Sequence, residues 1–207
     1  MKLVFTGIQW CGKGTQARLL VEKHGFILLE MGGEFRRVIA SGSELGKKIQ
    51  EQYDRGDQIS PDLGVAVMED AVQNVVENYG NKNVIFDAFI RNDWNKEIFD
   101  RLLPDYKVIL FQLSEEKTKK RLLGRMFNPI SGETFMSGTT HDPKTGEKLI
   151  QRADDNEAGI LKRIDLYREV TLPVVELQKQ EGKVIEINAD QSVSAVFEEL
   201  ERKLNLI

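Results

Sequence analysis

Phosphate chemistry is the first possibility this sequence offers. In Gly7-Ile8-Gln9-Trp10-Cys11-Gly12-Lys13-Gly14-Thr15, Gly7 and Gly12 stand at the spacing of a phosphate-binding loop, with Lys13 directly after. Glycines let backbone N–H groups turn onto an anion, and a neighbouring ammonium adds the charge that a polyphosphate requires. An apolar run, Leu3 to Phe5, precedes the loop and a helical pattern follows it, so the order is strand, loop, helix, and the helix dipole adds to the attraction. The common motif ends in Lys followed by Ser or Thr; this chain places Gly14 before Thr15. Trp10 and Cys11 are bulky for a loop that wraps an anion, and at positive φ either would be strained. The alternative is a glycine-containing turn that binds nothing, and the rest of the chain must decide.

Other residues could converge on such a loop. Val84-Ile85-Phe86 reads as a buried strand ending in Asp87. A carboxylate there is placed to hold the water shell of a magnesium ion, the plainer role being a turn cap. Arg91 leaves the same strand end, and a carboxylate paired with a guanidinium favours a phosphate site. Arg121 and Arg125 share one face of a predicted helix opened by Ser114, and two guanidinium groups so placed bracket one polyphosphate, unless that face is only solvated. Arg36 and Arg37 follow Met31-Gly32-Gly33 at the entry to another helix, where an anion site and a solvated face are equally open.

The elements needed to hold these groups alternate along the chain. Leu3 to Thr6 is apolar on both sides, as a buried parallel strand should be. A helix over Lys13 to His24, with Ala17, Leu19, Leu20 and Val21 as its buried stripe, ends at Gly25. A strand over Phe26 to Leu29 precedes short helices across 32–79, with Ser60 as an N-cap and Pro61 at the first helical position. Val108 to Leu113 and Val184 to Ile187 are further strands. A helix carrying Ile160, Arg163, Ile164, Tyr167 and Leu172 should bend or restart at Pro173, and Val193 to Leu204 closes the chain as an amphipathic helix. Residues 126–151 break the rhythm with dense turn residues and predict a small β insertion. Asn128 with Ser131, and Asp142 with Thr145, have the spacing of metal knuckles but lack soft ligands, so a hydrogen-bonded polar cluster is expected there and no structural zinc.

Composition narrows the class. The 207 residues carry 33 acidic and 29 basic side chains, a net charge of -4, which argues against a general nucleic-acid binder. A single cysteine, Cys11, permits no internal disulfide and points to a reducing compartment. With neither a long apolar stretch nor a leader-like start, the expectation is a cytoplasmic protein with no membrane partner.

Taken in order, these signals resemble the adenylate kinase family of nucleoside monophosphate kinases almost end to end. Its Gly-Lys-Gly-Thr-Gln stands here as Gly12 to Gln16, and its NMP-domain entry as Gly32 to Arg36, followed by Ser41-Gly42-Ser43-Glu44-Leu45-Gly46. Its Asp-Gly-Phe-Pro-Arg segment stands as Asp87 to Arg91, its Arg-x-x-Gly-Arg as Arg121 to Arg125, its lid steps as Ser131-Gly132 and Thr145-Gly146-Glu147, and its closing pattern as Arg152-Ala153-Asp154-Asp155 with Arg163. The resemblance implies an α/β fold with a P-loop-type parallel sheet flanked by helices. It divides the chain into a core of 1–29, 61–125 and 158–207, a helical NMP-binding insertion at 30–60 and a β lid at 126–157.

It also implies a monomeric enzyme that converts ATP and AMP to two ADP with magnesium. ATP would lie on Gly12, Lys13, Gly14, Thr15, Gln16, Arg121 and Arg125, and the monophosphate on Met31, Gly32, Arg36, Ile59, Ala88, Arg91, Asn95, Arg152 and Arg163. Lys13, Arg91, Arg125, Arg152 and Arg163 would supply the catalytic charge, while Thr15, and Asp87 through water, would hold magnesium. The chain departs from the family pattern at Gln9-Trp10, where Pro-Gly is usual, at Met31-Gly32-Gly33 in place of Thr-Gly-Asp, and at Ala88 and Ile90 in place of Gly and Pro. Asn95, where a Gln is common, looks more like the UMP/CMP kinase branch, whereas the long lid does not. A UMP/CMP-type kinase and a nucleotide binder with weak catalysis therefore stay open.

Overall fold

Five strands in the computed structural model form one parallel sheet; residues 1–54, 59–80, 82–130, 134–135, 138–151 and 155–207 are described, apart from the side chain of Tyr53. The strands are β1 (Lys2–Gly7), β2 (Ile27–Glu30), β3 (Val84–Asp87) and β4 (Lys107–Gln112), then the short β5 (Met126–Phe127) and β6 (Thr134–Phe135), and β7 (Val184–Asn188). The sheet runs β2-β3-β1-β4-β7, every pairing parallel, while β5 and β6 pair antiparallel apart from it. Parallel neighbours require crossovers. The helices that provide and flank them are α1 (Lys13–His24), α2 (Met31–Ala40), α3 (Glu44–Asp54), α4 (Pro61–Tyr79), α5 (Asp93–Leu102), α6 (Glu115–Leu123), α7 (Glu157–Leu166), α8 (Leu172–Gln180) and α9 (Val193–Lys203). The expected α/β architecture is present.

Side-chain alternation explains why the strands read as continuous apolar runs. Leu3, Phe5, Ile109 and Phe111 join one buried cluster with residues of α1, α7 and α9, whereas Val4, Phe86 and Val108 join another with residues of α4, α5 and α8. Both sheet faces are therefore covered, as a parallel sheet demands. Phe86 meets Phe89 and Phe99 edge-on at centroid distances of 5.1 and 5.0 Å, and truncating a ring in such a core typically costs about 3–5 kcal/mol. A third cluster lies among α2, α3 and α4, around Val38, Ile49 and Val67. Gly46 permits it: a Cβ there would stand 2.2 Å from the Val38 carbonyl oxygen, so α2 and α3 approach this closely only with glycine at the crossing.

Several local expectations change. Val21 is exposed, and Gln16 takes its place in the buried stripe of α1. Ser60 occupies the N-cap position of α4, but its hydroxyl caps nothing; its backbone N–H is held instead by Gln52 Oε1 at 2.8 Å. Helix α2 begins at Met31 directly from β2, so Met31, Gly32 and Gly33 are its first turn and not its approach. At Pro173 the helix restarts, as expected, but through an unforeseen join: α7 stops at Leu166, a π-helical turn, Tyr167–Thr171, follows, and α8 begins at Leu172 with Pro173 in its first turn. The wider turn absorbs the hydrogen bond that proline cannot make. Among the described residues no helix is long and apolar enough to cross a membrane.

Candidate active site: two clefts at the strand ends

The glycine loop adopts a conformation that its sequence only partly favours. Gly7 lies at φ 139, and a Cβ there would come within 2.5 Å of the Phe111 carbonyl oxygen, so glycine is required by both backbone and neighbour. Gly12, at φ 99, accepts the first hydrogen bonds of α1 from Thr15 and Gln16 N–H at 3.1 and 3.2 Å. Trp10 is at φ 63 despite its bulk. Lys13 Nζ donates to the Gly7 and Ile8 carbonyl oxygens at 2.8 and 3.2 Å and lies 3.5 Å from Cys11 Sγ. An ammonium held on the inner rim of its own loop is ready to exchange those acceptors for phosphate oxygens.

A cleft of about 610 Å³ opens on this loop. Gly12, Lys13, Gly14, Thr15, Gln16 and Arg121 line it, all of them assigned to ATP by sequence. Gln16 is almost wholly buried, and its amide donates to the Val193 carbonyl at 3.0 Å, tying α1 to α9. Asp87 also faces this cleft. Burial pushes its carboxyl up from the ordinary range, Lys13 pulls against that rise, and Glu30 adds to it. Its Oδ1 is buried without a hydrogen-bond partner among the described residues. An orphaned carboxylate oxygen beside a second acid and the Thr15 hydroxyl is a donor set suited to a hard, hydrated cation.

Arg121 and Arg125 do not share a helix face. Helix α6 ends at Leu123 with Gly124 at its C-cap, so Arg125 leaves the helix before its turn is complete. Arg121 reaches the Trp10 and Ala189 carbonyls at 3.5 and 3.4 Å. Arg125 is buried and does not line the cleft; its Nε donates to Asp155 Oδ2 at 2.5 Å and its Nη2 to Oδ1. Its guanidinium carbon stands 5.1 Å from the centre of the Trp10 ring. Arg163, on α7, also donates to Asp155 Oδ1, at 2.7 Å, and to the Gly159 carbonyl at 3.2 Å. Burial alone would raise the Asp155 carboxyl, but the hydrogen bonds from Arg125 and Arg163 outweigh it and hold the group below its ordinary range. Arg152 lies outside the described residues.

The second cleft, of about 630 Å³, is lined by Met31, Gly32, Ile59, Ala88, Arg91 and Asn95, all expected at the monophosphate, together with Phe35, Met68, Phe89 and Trp94. Ala88 sits at φ 63, the left-handed conformation that a glycine would take without strain. Asn95 Oδ1 accepts from the Arg91 backbone N–H at 3.4 Å, and Asn95 N–H in turn donates to Asn92 Oδ1 at 2.7 Å. Arg36 is exposed and does not line this cleft; its guanidinium lies over Gly32, where a Cβ would be 3.6 Å from Nη1. Its neighbour Arg37 is engaged with Glu34 at 2.7 Å and with Asp70, which settles the open choice for Arg37 in favour of an ion-paired helix face. The two clefts meet edge to edge. Glu30 and Asp87 line the first, and Met31 and Ala88, the next residues in the chain, line the second.

Beyond the sheet, Asn128 Nδ2 donates to Asp142 Oδ2 at 2.8 Å, and Asp142 Oδ1 accepts from Lys144 and Thr145 N–H at 2.8 and 3.3 Å. Asn128 and Asp142 are both buried, and these bonds, that from Asn128 first, hold the Asp142 carboxyl below its ordinary range. Thr145 Oγ1 accepts from Glu147 N–H at 3.3 Å. Ser131, the fourth expected member, lies outside the described residues. Among the described residues no three or more His, Cys, Asp or Glu side chains gather to hold a metal ion.

The structure adds residues that sequence reasoning missed. Arg18 lines the first cleft and reaches back towards Gly14, where a Cβ would lie 3.6 Å from its Nη1. Its position one turn beyond Gly14 was the available signal. Glu30 ends β2 as Asp87 ends β3, and the argument applied to one acid applied to both. Asp155, the shared anchor of two arginines, was visible only as part of a longer motif.

Comparison with known proteins agrees with this geometry. The family model described as adenylate kinase matches residues 5–183. An adenylate kinase of Chloroherpeton thalassium is 33% identical, covering 99% of this chain and 98% of its own. One from a Hydrogenobaculum species is 33% identical over 99% of this chain and 100% of its own. An adenylate kinase 2 of Schistosoma mansoni is 31% identical over 96% and 87% respectively.

Proposed function

The chain belongs to the adenylate kinase family, phosphotransferases that convert ATP and AMP to two ADP, and from that premise we propose how its two clefts divide the reaction. The cleft on the glycine loop takes ATP and the cleft between α2 and α5 takes AMP. The observation that carries this reading is the seam between them: both open at the same ends of β2 and β3, so a phosphoryl group crosses from one to the other without leaving the protein.

No general base is needed, because transfer between phosphates is limited by positioning and by charge. Lys13 exchanges the Gly7 and Ile8 carbonyls for donor phosphate oxygens. Arg91 receives the acceptor phosphate. Arg125 and Arg163, together with Arg152, supply charge to the transferring group, and Arg36 swings from Gly32 towards the monophosphate. Asp87, with Thr15, would hold the magnesium that accompanies ATP, and that ion supplies charge neutralisation at the phosphates. The buried orphan oxygen of Asp87 supports this assignment.

Residues 30–60 act as the monophosphate-binding part and residues 126–157 as a lid, stiffened by Asn128, Asp142 and Thr145, on a core of 1–29, 61–125 and 158–207. The separate apolar cluster among α2, α3 and α4 supports the first insertion, and the β5–β6 pair supports the second. A cytoplasmic monomer acting on free nucleotides, and neither on nucleic acid nor at a membrane, is consistent with the net charge of -4 and the single cysteine.

The test is initial ADP formation from ATP and magnesium with AMP, CMP, UMP and GMP in turn. AMP should be preferred. Preference for CMP or UMP would place the chain with the pyrimidine branch and make Asn95 the deciding residue. Silence with all four would refute the reading.

A further inference from the structure

The phosphate loop holds a tryptophan in a conformation that a bulky L residue adopts only under constraint, φ 63 at Trp10. Glycine would take it freely. The indole must therefore contribute something that outweighs the backbone strain, and its surroundings identify the contribution. The Arg125 guanidinium carbon lies 5.1 Å from the ring centre, and the Trp10 carbonyl accepts from Arg121 Nη1 at 3.5 Å. Trp10 and Arg121 line the donor cleft, whereas Arg125 does not. The indole thus both touches Arg125 and lines that cleft.

We propose that Trp10 is a positioning residue for phosphoryl transfer: its indole face orients the planar guanidinium of Arg125 towards the polyphosphate of the donor nucleotide. The inference rests on reading the glycine-loop cleft as the ATP site. A hydrogen-bond acceptor fixes a guanidinium along particular N–H directions, as Asp155 does through Nε and Nη2. A ring face fixes the plane and its height but leaves it free to slide and turn within the plane. Arg125 can therefore turn from Asp155 towards a phosphate without losing its orientation.

Trp10 also packs against the main core, so the test must separate the ring from its bulk. Trp10→Phe keeps a π face, Trp10→Leu keeps apolar volume without one, and Trp10→Gly removes both while relieving φ. Phe should retain kcat within about threefold, whereas Leu and Gly should each lower it about fivefold or more, with KM for AMP within about twofold. Gly relieves φ but removes the indole's packing on the core and adds freedom to the unfolded chain, so its Tm should fall, and kcat is compared at a temperature where every variant is folded. Equal kcat for Leu and Phe, a loss confined to KM, or a rise in kcat for Gly would overturn the proposal.

A second readout needs no turnover. Trp94 lines the other cleft, so with Trp94→Phe the remaining emission reports Trp10 alone. It should change on adding ATP with magnesium and stay constant with AMP alone. Constant emission with ATP would overturn the proposal even in an active enzyme, while an emission change in an enzyme silent with every acceptor would separate failure of the catalytic reading from failure of this one.

Discussion

Replacing Asp155 with Asn should produce a larger loss than any other single polar change near the clefts. The side chain keeps its shape and loses its charge. In the native protein Asp155 is fully buried, Arg125 spans both of its oxygens, and Arg163 shares Oδ1 at 2.7 Å. The carboxamide accepts through one atom only and leaves Arg125, 9% exposed at its side chain, as a buried cation without an anion among the described residues. Breaking one side of a buried pair costs about 3–5 kcal/mol. Unfolding 207 residues carries an entropy of roughly 0.4 kcal/mol/K, so Tm should fall by roughly 7–12 °C. The assay is paired thermal melts of wild type and Asp155→Asn, each repeated with a saturating bisubstrate dinucleotide. The phosphates of that ligand return the missing negative charge, so it should raise the Tm of the variant by more than that of wild type. A variant within about 1 kcal/mol of wild type would show that Arg125 gains its solvation elsewhere. An equal ligand-induced rise in both proteins would refute the idea that Asp155 and the phosphates satisfy the same cation.

Other expectations follow from the same contacts. Lys13→Met should abolish measurable transfer while circular dichroism and Tm stay close to wild type, because among the described residues its Nζ bonds only groups of its own loop, the Gly7 and Ile8 carbonyls and Cys11 Sγ; near wild-type turnover would remove Lys13 from its role. Asp87 has the opposite sign to Asp155. Burial raises its folded value, so stability is lost as pH rises from the ordinary 3.8 through that raised value, and Asp87→Asn should stabilise the nucleotide-free protein at neutral pH while removing the magnesium response of ATP binding. A destabilised Asp87→Asn protein would contradict this. Asp155 is depressed, so its contribution is complete above 3.8 and is lost as pH falls through the folded value; the gap in urea midpoint between wild type and Asp155→Asn should close in acid and nowhere else.

The sequence made legible what depends on local chemistry. Gly25 ends α1 in the left-handed conformation, Ser114 caps α6 through the Lys117 N–H, and the apolar strand runs mark a sheet covered on both faces. What depends on tertiary choice was not legible. Spacing alone placed Arg121 and Arg125 on one helical face, but the helix stops at Leu123 and the buried carboxylate of Asp155, thirty residues away in sequence, takes Arg125. Gln16 had the motif position of an ATP ligand and lines that cleft, but the reach of its side-chain amide to the Val193 carbonyl, a contact between the two ends of the chain, is a tertiary fact. Pro173 announced an interruption and α8 does restart beside it, but nothing in the local spacing told that the join would be a π-helical turn.

The seam between the clefts has a consequence for how such a chain can change over time. Glu30 and Asp87 are partners in the β2–β3 register, and in each strand the next residue belongs to the other cleft. One Cα step, about 3.8 Å, is all that divides the territory of one substrate from that of the other. Gain or loss of a single residue at either strand end would hand a side chain from one nucleotide to its neighbour, and only a matched event in the opposite strand would restore the boundary. Length variation is therefore expected to accumulate in turns far from the clefts, while these two junctions keep a fixed count even where their residue types differ.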